Sequence, residues 1–248
     1  THEESTANTA ESTRRDFHSH LSQNARTLGP GKWSYQPYPA SSSANSFFAN
    51  SISVGIGQRF EIGTVPVYWM SNSPDRSTQN ANFKYNFYRS EQHNYSLAYS
   101  VIYFKYKFLF SYGISSEIHT ENKIQDFGFL YTYHHSPDVS LSFNYFIHRF
   151  TTKFDAAIGV TDEVNASLQP DIMIDVETRL SPRFFITAGV AKAPLDGSNT
   201  LISESNYWGA GATITWVRPE KFFSAPSLGA HYVPENQKTR IMLSSSFY

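Results

Sequence analysis

Cysteine is absent from the 248-residue chain, which excludes disulfide bridges, thiolate nucleophiles and thiolate metal sites. No run of 18 or more apolar residues occurs, so the sequence contains no candidate transmembrane helix. Charge is also scarce, because 20 Lys and Arg are balanced by 21 Asp and Glu to give a net charge of -1. Without a basic field the chain has no electrostatic attraction for nucleic acid, and we expect no nucleic-acid partner.

Aromatic residues, in contrast, are abundant. The chain has 20 Phe, 16 Tyr and 4 Trp, and these make up 16% of the residues against 17% that are charged. A soluble domain does not need this many rings to fill its core. We therefore expect many of them to lie at an interface.

The clearest pattern in the chain is an alternation of apolar and polar residues in the segment 171–192. Ile172, Ile174 and Val176 alternate with charged residues in the first half, and the second half resumes the alternation after a turn at Ser181-Pro182. In an extended strand the two sets lie on opposite faces, one apolar and one charged. This segment therefore predicts an amphipathic β-hairpin.

Similar segments follow one another from Lys32 to the end of the chain. The predicted strands lie around 32–36, 51–56, 60–69, 82–87, 94–117, 126–134, 139–148, 171–180, 184–190, 208–216, 228–232 and 238–248. Within 94–117 the aromatic residues change parity at Phe104, and we interpret this as a bulge in one long strand, since no turn residue lies there. This gives twelve strands; dividing the segment and adding a strand at 153–160 gives fourteen.

The predicted connections alternate in length. There are four short connections, at 57–59, 90–94, 135–138 and 181–183. They alternate with four longer polar ones, at 71–79, 119–123, 151–170 and 193–204. The connection at 218–226 does not follow this alternation. Trp208 and Trp216 share a face, and a strand tilted by ~45° separates them by roughly 20 Å, close to the spacing of two aromatic girdles. Short turns at one end and long loops at the other are typical of membrane barrels.

Residues 32–248 therefore resemble a bacterial outer-membrane β-barrel, and no narrower family is indicated. The expected fold is all-β, a transmembrane antiparallel up-and-down barrel with an even strand number. The mean hydropathy of -0.41 agrees with this, since lumen-facing polar residues offset lipid-facing apolar ones. The resemblance implies a location in the outer membrane of a Gram-negative cell, with membrane lipid as a partner.

An aromatic last residue, Tyr248, resembles the C-terminal signature through which the outer-membrane assembly machinery recognises such barrels. The match is partial, because Ser246, Ser244 and Met242 share the parity of Tyr248 and the other parity is the apolar one. As anchors at the membrane interface we predict four aromatic residues: Trp33, Trp208, Trp216 and Tyr248.

Residues 1–31 are polar and almost without apolar periodicity, which predicts a flexible tail. Such a tail could instead be held by another envelope protein. His18 and His20 lack a third ligand, so we expect no metal there, and we expect no cofactor elsewhere.

The polar parity of the strands is expected to face the barrel lumen. Seven charged or titratable residues are predicted there as lumen or constriction residues: Glu61, Lys84, Asp126, His148, Asp175, Glu177 and Arg179. A barrel of about twelve strands has a narrow bore. The leading hypothesis is a narrow pore for small solutes; the alternative is a structural barrel with a plugged, salt-bridged lumen that binds envelope proteins through its tail or loops.

A third hypothesis is a lipid-modifying hydrolase. His134 and Ser136 have the His-x-Ser spacing of outer-membrane phospholipases and lipid A deacylases, but Pro137 stands where those families have Asn. Asp175 and Glu177 are spaced like glycosidase carboxylates, roughly 6 to 7 Å apart. Neither pattern is specific, and we expect no catalytic residue in this chain.

Overall fold

A computed structural model of the chain describes residues 25–35, 52–66, 69, 76–112, 114–156, 165–193, 207–218, 225–233 and 238–246. Twelve strands lie in these ranges: β1 (Trp33–Tyr35), β2 (Ile52–Ile56), β3 (Phe60–Thr64), β4 (Arg76–Arg89), β5 (His93–Tyr112), β6 (Ile114–Ser136), β7 (Val139–Ala156), β8 (Asn165–Ser181), β9 (Phe184–Ala193), β10 (Tyr207–Trp216), β11 (Ala225–Val233) and β12 (Lys238–Ser246). No helix in the described residues is long and apolar enough to cross a bilayer.

Each strand pairs antiparallel with the next in the chain, and β1 pairs with β12 through Ser34↔Ser246 and Tyr35↔Ser245. The sheet is thus an up-and-down barrel, as predicted, and the segment 171–192 forms the β8–β9 hairpin. The strand number of the whole chain stays a prediction, since the twelve strands belong to the described ranges.

The polarity of the barrel is inverted relative to that of a soluble protein. On β8, Ile174 and Val176 are 39% and 44% exposed, whereas Asp175 between them is 2% exposed. The same inversion recurs on β5 and β10, where Leu97 and Ile214 are exposed and Ser96 and Thr213 are buried. In water this arrangement would be unfavourable, whereas lipid around the barrel makes it favourable. The protein is therefore a transmembrane β-barrel of the bacterial outer-membrane type, which confirms the predicted fold class.

The predicted short connections are confirmed. They lie at 57–59, 90–92, 137–138 and 182–183, all at one end of the barrel. β1 begins and β12 ends at this same end, which we call the short-turn end. Register shifts beside three of these turns, near Phe87, His135 and Leu180, add one residue to one strand of each hairpin.

Two of the predicted long connections are wrong. Residues 119–123 lie inside β6, and β5 ends at Tyr112, so 94–117 is not one strand. β5 and β6 pair without a register shift from His93↔Tyr133 to Tyr112↔Ile114, so there is no bulge at Phe104 in this ladder. A membrane span needs only about 9–11 residues. Strands of 20 and 23 residues extend beyond the bilayer, where the outer face no longer has to be apolar.

The segment 151–170 is likewise mostly strand, because β7 runs to Ala156 and β8 begins at Asn165. The strand predicted at 60–69 ends at Thr64, and Pro66 is helical. Proline has no N–H to donate to a β-ladder, so the strand stops before it. The polar connection predicted at 71–79 lies earlier in the chain, between the end of β3 at Thr64 and the start of β4 at Arg76.

Candidate functional site

Residues 25–31 lie across the lumen at the short-turn end, and we call them the N-terminal strap. Ala25, Arg26, Thr27 and Leu28 are all buried. The prediction of a flexible, solvated tail is therefore wrong for these four residues, whereas residues 1–24, with His18 and His20, lie outside the described ranges. Polar residues on the lumen face of β3 to β6, and two of the short turns, hold the strap.

The first attachment of the strap is a buried ion pair. Lys84 Nζ on β4 lies 3.0 Å from Glu61 Oε2 on β3, and the two side chains are 2% and 8% exposed. The same carboxylate oxygen accepts a hydrogen bond from the Leu28 amide at 3.1 Å. Two of the predicted lumen residues thus form a pair that binds the strap backbone.

Ala25 is held through both of its backbone polar groups. Its amide donates to Thr132 Oγ1 at 2.9 Å, and its carbonyl oxygen accepts from Asn86 Nδ2 at 3.0 Å and from the Ser96 hydroxyl. These three side chains come from β4, β5 and β6. The strap therefore spans neighbouring strands rather than following one of them.

Arg26 and Thr27 attach the strap to the turns. The guanidinium of Arg26 donates to Asn94 Oδ1 and to the Ser90 carbonyl, both at 3.2 Å. The Thr27 hydroxyl donates to the Gln58 carbonyl at 3.0 Å. Because Gln58 and Ser90 belong to the β2–β3 and β4–β5 connections, the strap lies at the mouth of the barrel.

Two glycines allow the strap to turn into β1. Gly31 has a φ of 72°, a conformation that disfavours residues with a Cβ, and its amide donates to the Gly55 carbonyl at 3.0 Å. A Cβ on Gly55 would lie 2.3 Å from the carbonyl oxygens of Leu28 and Gly29. The strap backbone therefore lies directly on the wall of β2.

An apolar patch of the lumen wall lies against the inner end of the strap. Ala25 belongs to one buried cluster with Ala98, Leu130, Phe146 and Met173. The Phe146 ring covers Gly128, its cross-strand partner, since a Cβ on Gly128 would lie 2.4 Å from that ring. This part of the lumen wall is thus apolar and close-packed.

The remaining predicted lumen residues are dispersed around the wall. Asp126 accepts a hydrogen bond from the Ser100 hydroxyl at 2.7 Å, and both residues are buried. Asp175 is buried on β8, and Glu177 two residues further on is half-buried. The pairing register places His148 opposite Asp126, and the His148 side chain is not among those that the structure describes.

Arg179 lies at the short-turn end rather than at a constriction. Its guanidinium is 3.7 Å from Asp138 in the β6–β7 turn and donates to the Ser181 carbonyl at 3.2 Å. The predicted ladder of Asp175, Glu177 and Arg179 therefore runs from the buried lumen to its rim.

Three buried amide atoms on β4 and β5 have no hydrogen-bond partner among the described residues: Asn82 Nδ2, Asn86 Oδ1 and Asn94 Nδ2. Two of these side chains, Asn86 and Asn94, also bind the strap through their other atoms. Buried polar groups of this kind are usually satisfied by water. The lumen beside the strap is therefore suited to hold water or a polar solute.

The predicted interface anchors lie on the outer face where the structure describes them. Trp208 and Trp216 are exposed at opposite ends of β10. Trp33 pairs with the outward-facing Val54, and Tyr248 lies outside the described ranges. Rows of rings also cross the strands, such as Phe83, Tyr99 and Phe127, with centroids 6.4 and 5.0 Å apart.

The His-x-Ser motif lies at the β6–β7 turn. The Ser136 hydroxyl oxygen accepts hydrogen bonds from the amides of Asp138 and Val139, at 3.2 and 3.1 Å, which gives it a structural role. His135 packs against Tyr133. No group of three His, Asp or Glu suited to a metal ion lies in the part of the chain that the structure describes.

Sequence reasoning missed the strap and its polar contacts. The available signals were Leu28 followed by Gly29-Pro30-Gly31 in an otherwise polar segment, and Gly55 on the lumen parity of β2. Neither signal indicates a partner, because the strap contacts Thr132, which is 107 positions away from Ala25 in the chain.

No family model and no curated protein matches the chain. Among solved structures it is similar to the toluene transporter TodX of Pseudomonas putida (7% identity, TM-score 0.43), with 80% of this chain and 61% of the transporter covered. It is also similar to the translocator domain of the autotransporter NalP from Neisseria meningitidis (10% identity, TM-score 0.44), with 80% and 77% covered. The chain thus spans about three fifths of the length of the transporter. Both similarities are too distant to assign a function.

Proposed function

We propose that this barrel is a narrow outer-membrane pore for small polar solutes, and that the N-terminal strap closes it at the short-turn end. The observation that carries the proposal is the polar wall. Asn, Ser, Thr and acidic side chains occupy the inner face of β3 to β10, and three of their amide atoms have no partner among the described residues. Such a wall is suited to a hydrated path.

Closure is supported by how the strap is bound. It contacts both turns and wall at the mouth, and apart from a bond between the Lys32 amide and its own Gly29 carbonyl, its described hydrogen bonds join it to β2–β6 and their turns. Towards β7 and β8 the contact described for the strap is the apolar cluster of Ala25 with Phe146 and Met173, so the strap can move away on that side by losing apolar contacts alone.

Single-channel conductance in planar bilayers tests the pore. We expect the Asp175→Ala/Glu177→Ala variant to change the ion selectivity of the open channel, because carboxylates in a narrow lumen favour cations. A variant with the conductance and selectivity of the wild type would contradict the assignment of these residues to the conducting path.

The strap can be tested separately because the chain has no cysteine of its own. Ser96 and Ala25 are neighbours, because the Ser96 hydroxyl donates to the Ala25 carbonyl oxygen, which makes Ala25→Cys/Ser96→Cys a suitable pair for a disulfide, whose Cα atoms lie roughly 4–7 Å apart. We expect oxidation to hold the channel closed and reduction to restore opening. The same conductance in both redox states would show that the strap does not close the pore.

The second candidate is a plugged structural barrel, which the number of strap contacts and the apolar cluster around Ala25 favour. The Gly55→Ala variant distinguishes the pore from the plugged barrel, because the new methyl group would clash with the strap carbonyls and loosen the strap. The pore predicts more frequent opening, whereas a permanent plug predicts no conductance in either protein. Ser53→Ala, also on the lumen face of β2, is the matched control.

A further inference from the structure

The barrel wall binds the N-terminal strap through backbone groups of the strap. Four buried wall side chains contact amide or carbonyl groups of Ala25 and Leu28: Glu61, Asn86, Ser96 and Thr132. Two of them accept from the amides, and the other two donate to the Ala25 carbonyl oxygen. Every residue except proline has both of these backbone groups, so such contacts do not depend on the sequence of the strap. The strap therefore occupies a site whose polar groups suit a peptide in general.

Two further features of this site select particular side chains. The buried Arg26 guanidinium donates to Asn94 Oδ1 and to the Ser90 carbonyl oxygen, both at 3.2 Å. Two acceptors suit the fork of a guanidinium better than a single ammonium group. One residue earlier, the Ala25 side chain packs in the apolar cluster with Leu130. The site thus prefers a small apolar residue followed by arginine.

Two side chains of the site keep an atom that the strap does not use. Asn86 Oδ1 and Asn94 Nδ2 are buried and have no hydrogen-bond partner among the described residues. One atom is an acceptor and the other a donor, and an amide group supplies a partner for either. Leaving such an atom buried without a partner is unfavourable. A ligand with amide groups can therefore form hydrogen bonds here that the strap does not form.

We propose that this site, when the strap leaves it, binds short peptides that carry an arginine behind a small apolar residue, and that such peptides are the solute of the pore. The strap is then a tethered competitor of the solute. A short tether corresponds to an effective concentration on the order of millimolar, so a free peptide binds well only when the strap is loosened. The inference rests on the proposed function for transport, whereas binding at the site needs no conduction.

Fluorescence anisotropy of a labelled peptide tests the site in the full chain in detergent. The probe is acetyl-Ala-Arg-Thr-Leu-Gly with fluorescein at its C-terminus, which repeats residues 25–29 and begins with an amide. Arg26→Ala/Thr27→Ala loosens the strap, because it removes the three described hydrogen bonds of these side chains and leaves the wall unchanged. We expect the probe to bind this variant roughly tenfold more tightly than the wild type, in which the strap fills the site.

Competition by unlabelled ligands in the loosened variant tests the solute class. The same peptide with glutamine in place of arginine should displace the probe about tenfold less well, because hydrogen bonds from a charged donor are the stronger ones. The neutral disaccharide sucrose should not displace it. Adding Asn94→Ala should reduce the preference for arginine, whereas Thr213→Ala, a buried lumen-face control on β10, should leave it unchanged.

Three results would overturn the proposal: no binding of the probe to the loosened variant, equal displacement by the arginine and glutamine peptides, or equal displacement by sucrose. Gly31→Val provides a second loosened strap, because its φ of 72° disfavours a β-branched residue, and it should give the same order of affinities. A barrel that conducts ions but does not bind the peptide contradicts only this inference. A barrel that binds the peptide and never conducts contradicts the pore and leaves the binding site in place.

Discussion

The buried pair of Glu61 and Lys84 gives the sharpest test of the lumen. Glu61→Gln keeps an oxygen that accepts from the Leu28 amide but removes the negative charge that lies 3.0 Å from the Lys84 ammonium. Removing one partner of a buried ion pair typically costs about 3–5 kcal/mol. With the two side chains 2% and 8% exposed and their charged atoms 3.0 Å apart, we expect a loss within this range. We expect Lys84→Met to destabilise the barrel by a similar amount.

The double variant measures the coupling free energy between Glu61 and Lys84, separately from the effect of each substitution. Glu61→Gln/Lys84→Met contains no buried charge at this point, so its loss should be smaller than the sum of the single losses by about 2–3 kcal/mol. Urea unfolding in lipid vesicles, followed by tryptophan fluorescence, measures all three free energies. Ser140→Ala, a buried lumen residue on β7, is the control for a lumen substitution without charge.

A coupling energy below about 0.5 kcal/mol would refute this reasoning. It would mean that water screens the pair, since exposed ion pairs contribute only about 0–1 kcal/mol. In that case Glu61 and Lys84 would be hydrated in solution and the strap would not seal the mouth around them.

Three further predictions concern the wall, the lumen filling and the projecting hairpin. Val176→Arg, roughly 14 Å from the β8–β9 turn and hence near the bilayer midplane, should reduce the unfolding free energy by about 2–4 kcal/mol in vesicles; no loss would contradict a lipid-facing Val176. Gly128→Val should cost about 1–3 kcal/mol through its clash with the Phe146 ring, and Phe146→Ala in the same protein should recover part of it. Beyond the membrane span, a hydrogen bond from Lys105 lowers the pKa of Glu121 below its ordinary 4.5. The pair therefore stabilises the folded protein fully above pH 4.5, and this stabilisation is lost as the pH falls through the lowered pKa. Hydrogen exchange in the β5–β6 hairpin, corrected for intrinsic rates, should show less protection at acidic pH in the wild type and no such change in Glu121→Gln.

Much of the barrel wall was predictable because its signal is local. Ile172 to Leu180 alternate with Met173 to Arg179, and a period of two on an extended chain assigns each residue to a face without any knowledge of its neighbours. The tight turns were predictable for the same reason, since Gly57 and Ser181-Pro182 carry their own conformational preferences.

The prediction of strand bounds was wrong outside the bilayer, where no lipid requires one face of a strand to be apolar. The parity change at Phe104 was interpreted as a bulge, whereas the structure continues in register to Tyr112. Outside the bilayer neither face must be apolar, so the side chains there no longer report the register. The assumed loops at 119–123 and 151–170 were wrong for the same reason, because polar strands beyond the membrane resemble loops in composition.

The sequence by itself determined that amphipathic strands exist and which face of each is apolar, because a residue's face follows from its position in an extended strand. Only the tertiary structure decided that residues 25–31 turn into the lumen, that Glu61 pairs with Lys84 beneath the Leu28 amide, and that the Phe184 and Trp216 rings stack across two strands. These contacts join residues that are distant in the chain. Their partners are set by barrel closure and strand register, which no local pattern encodes.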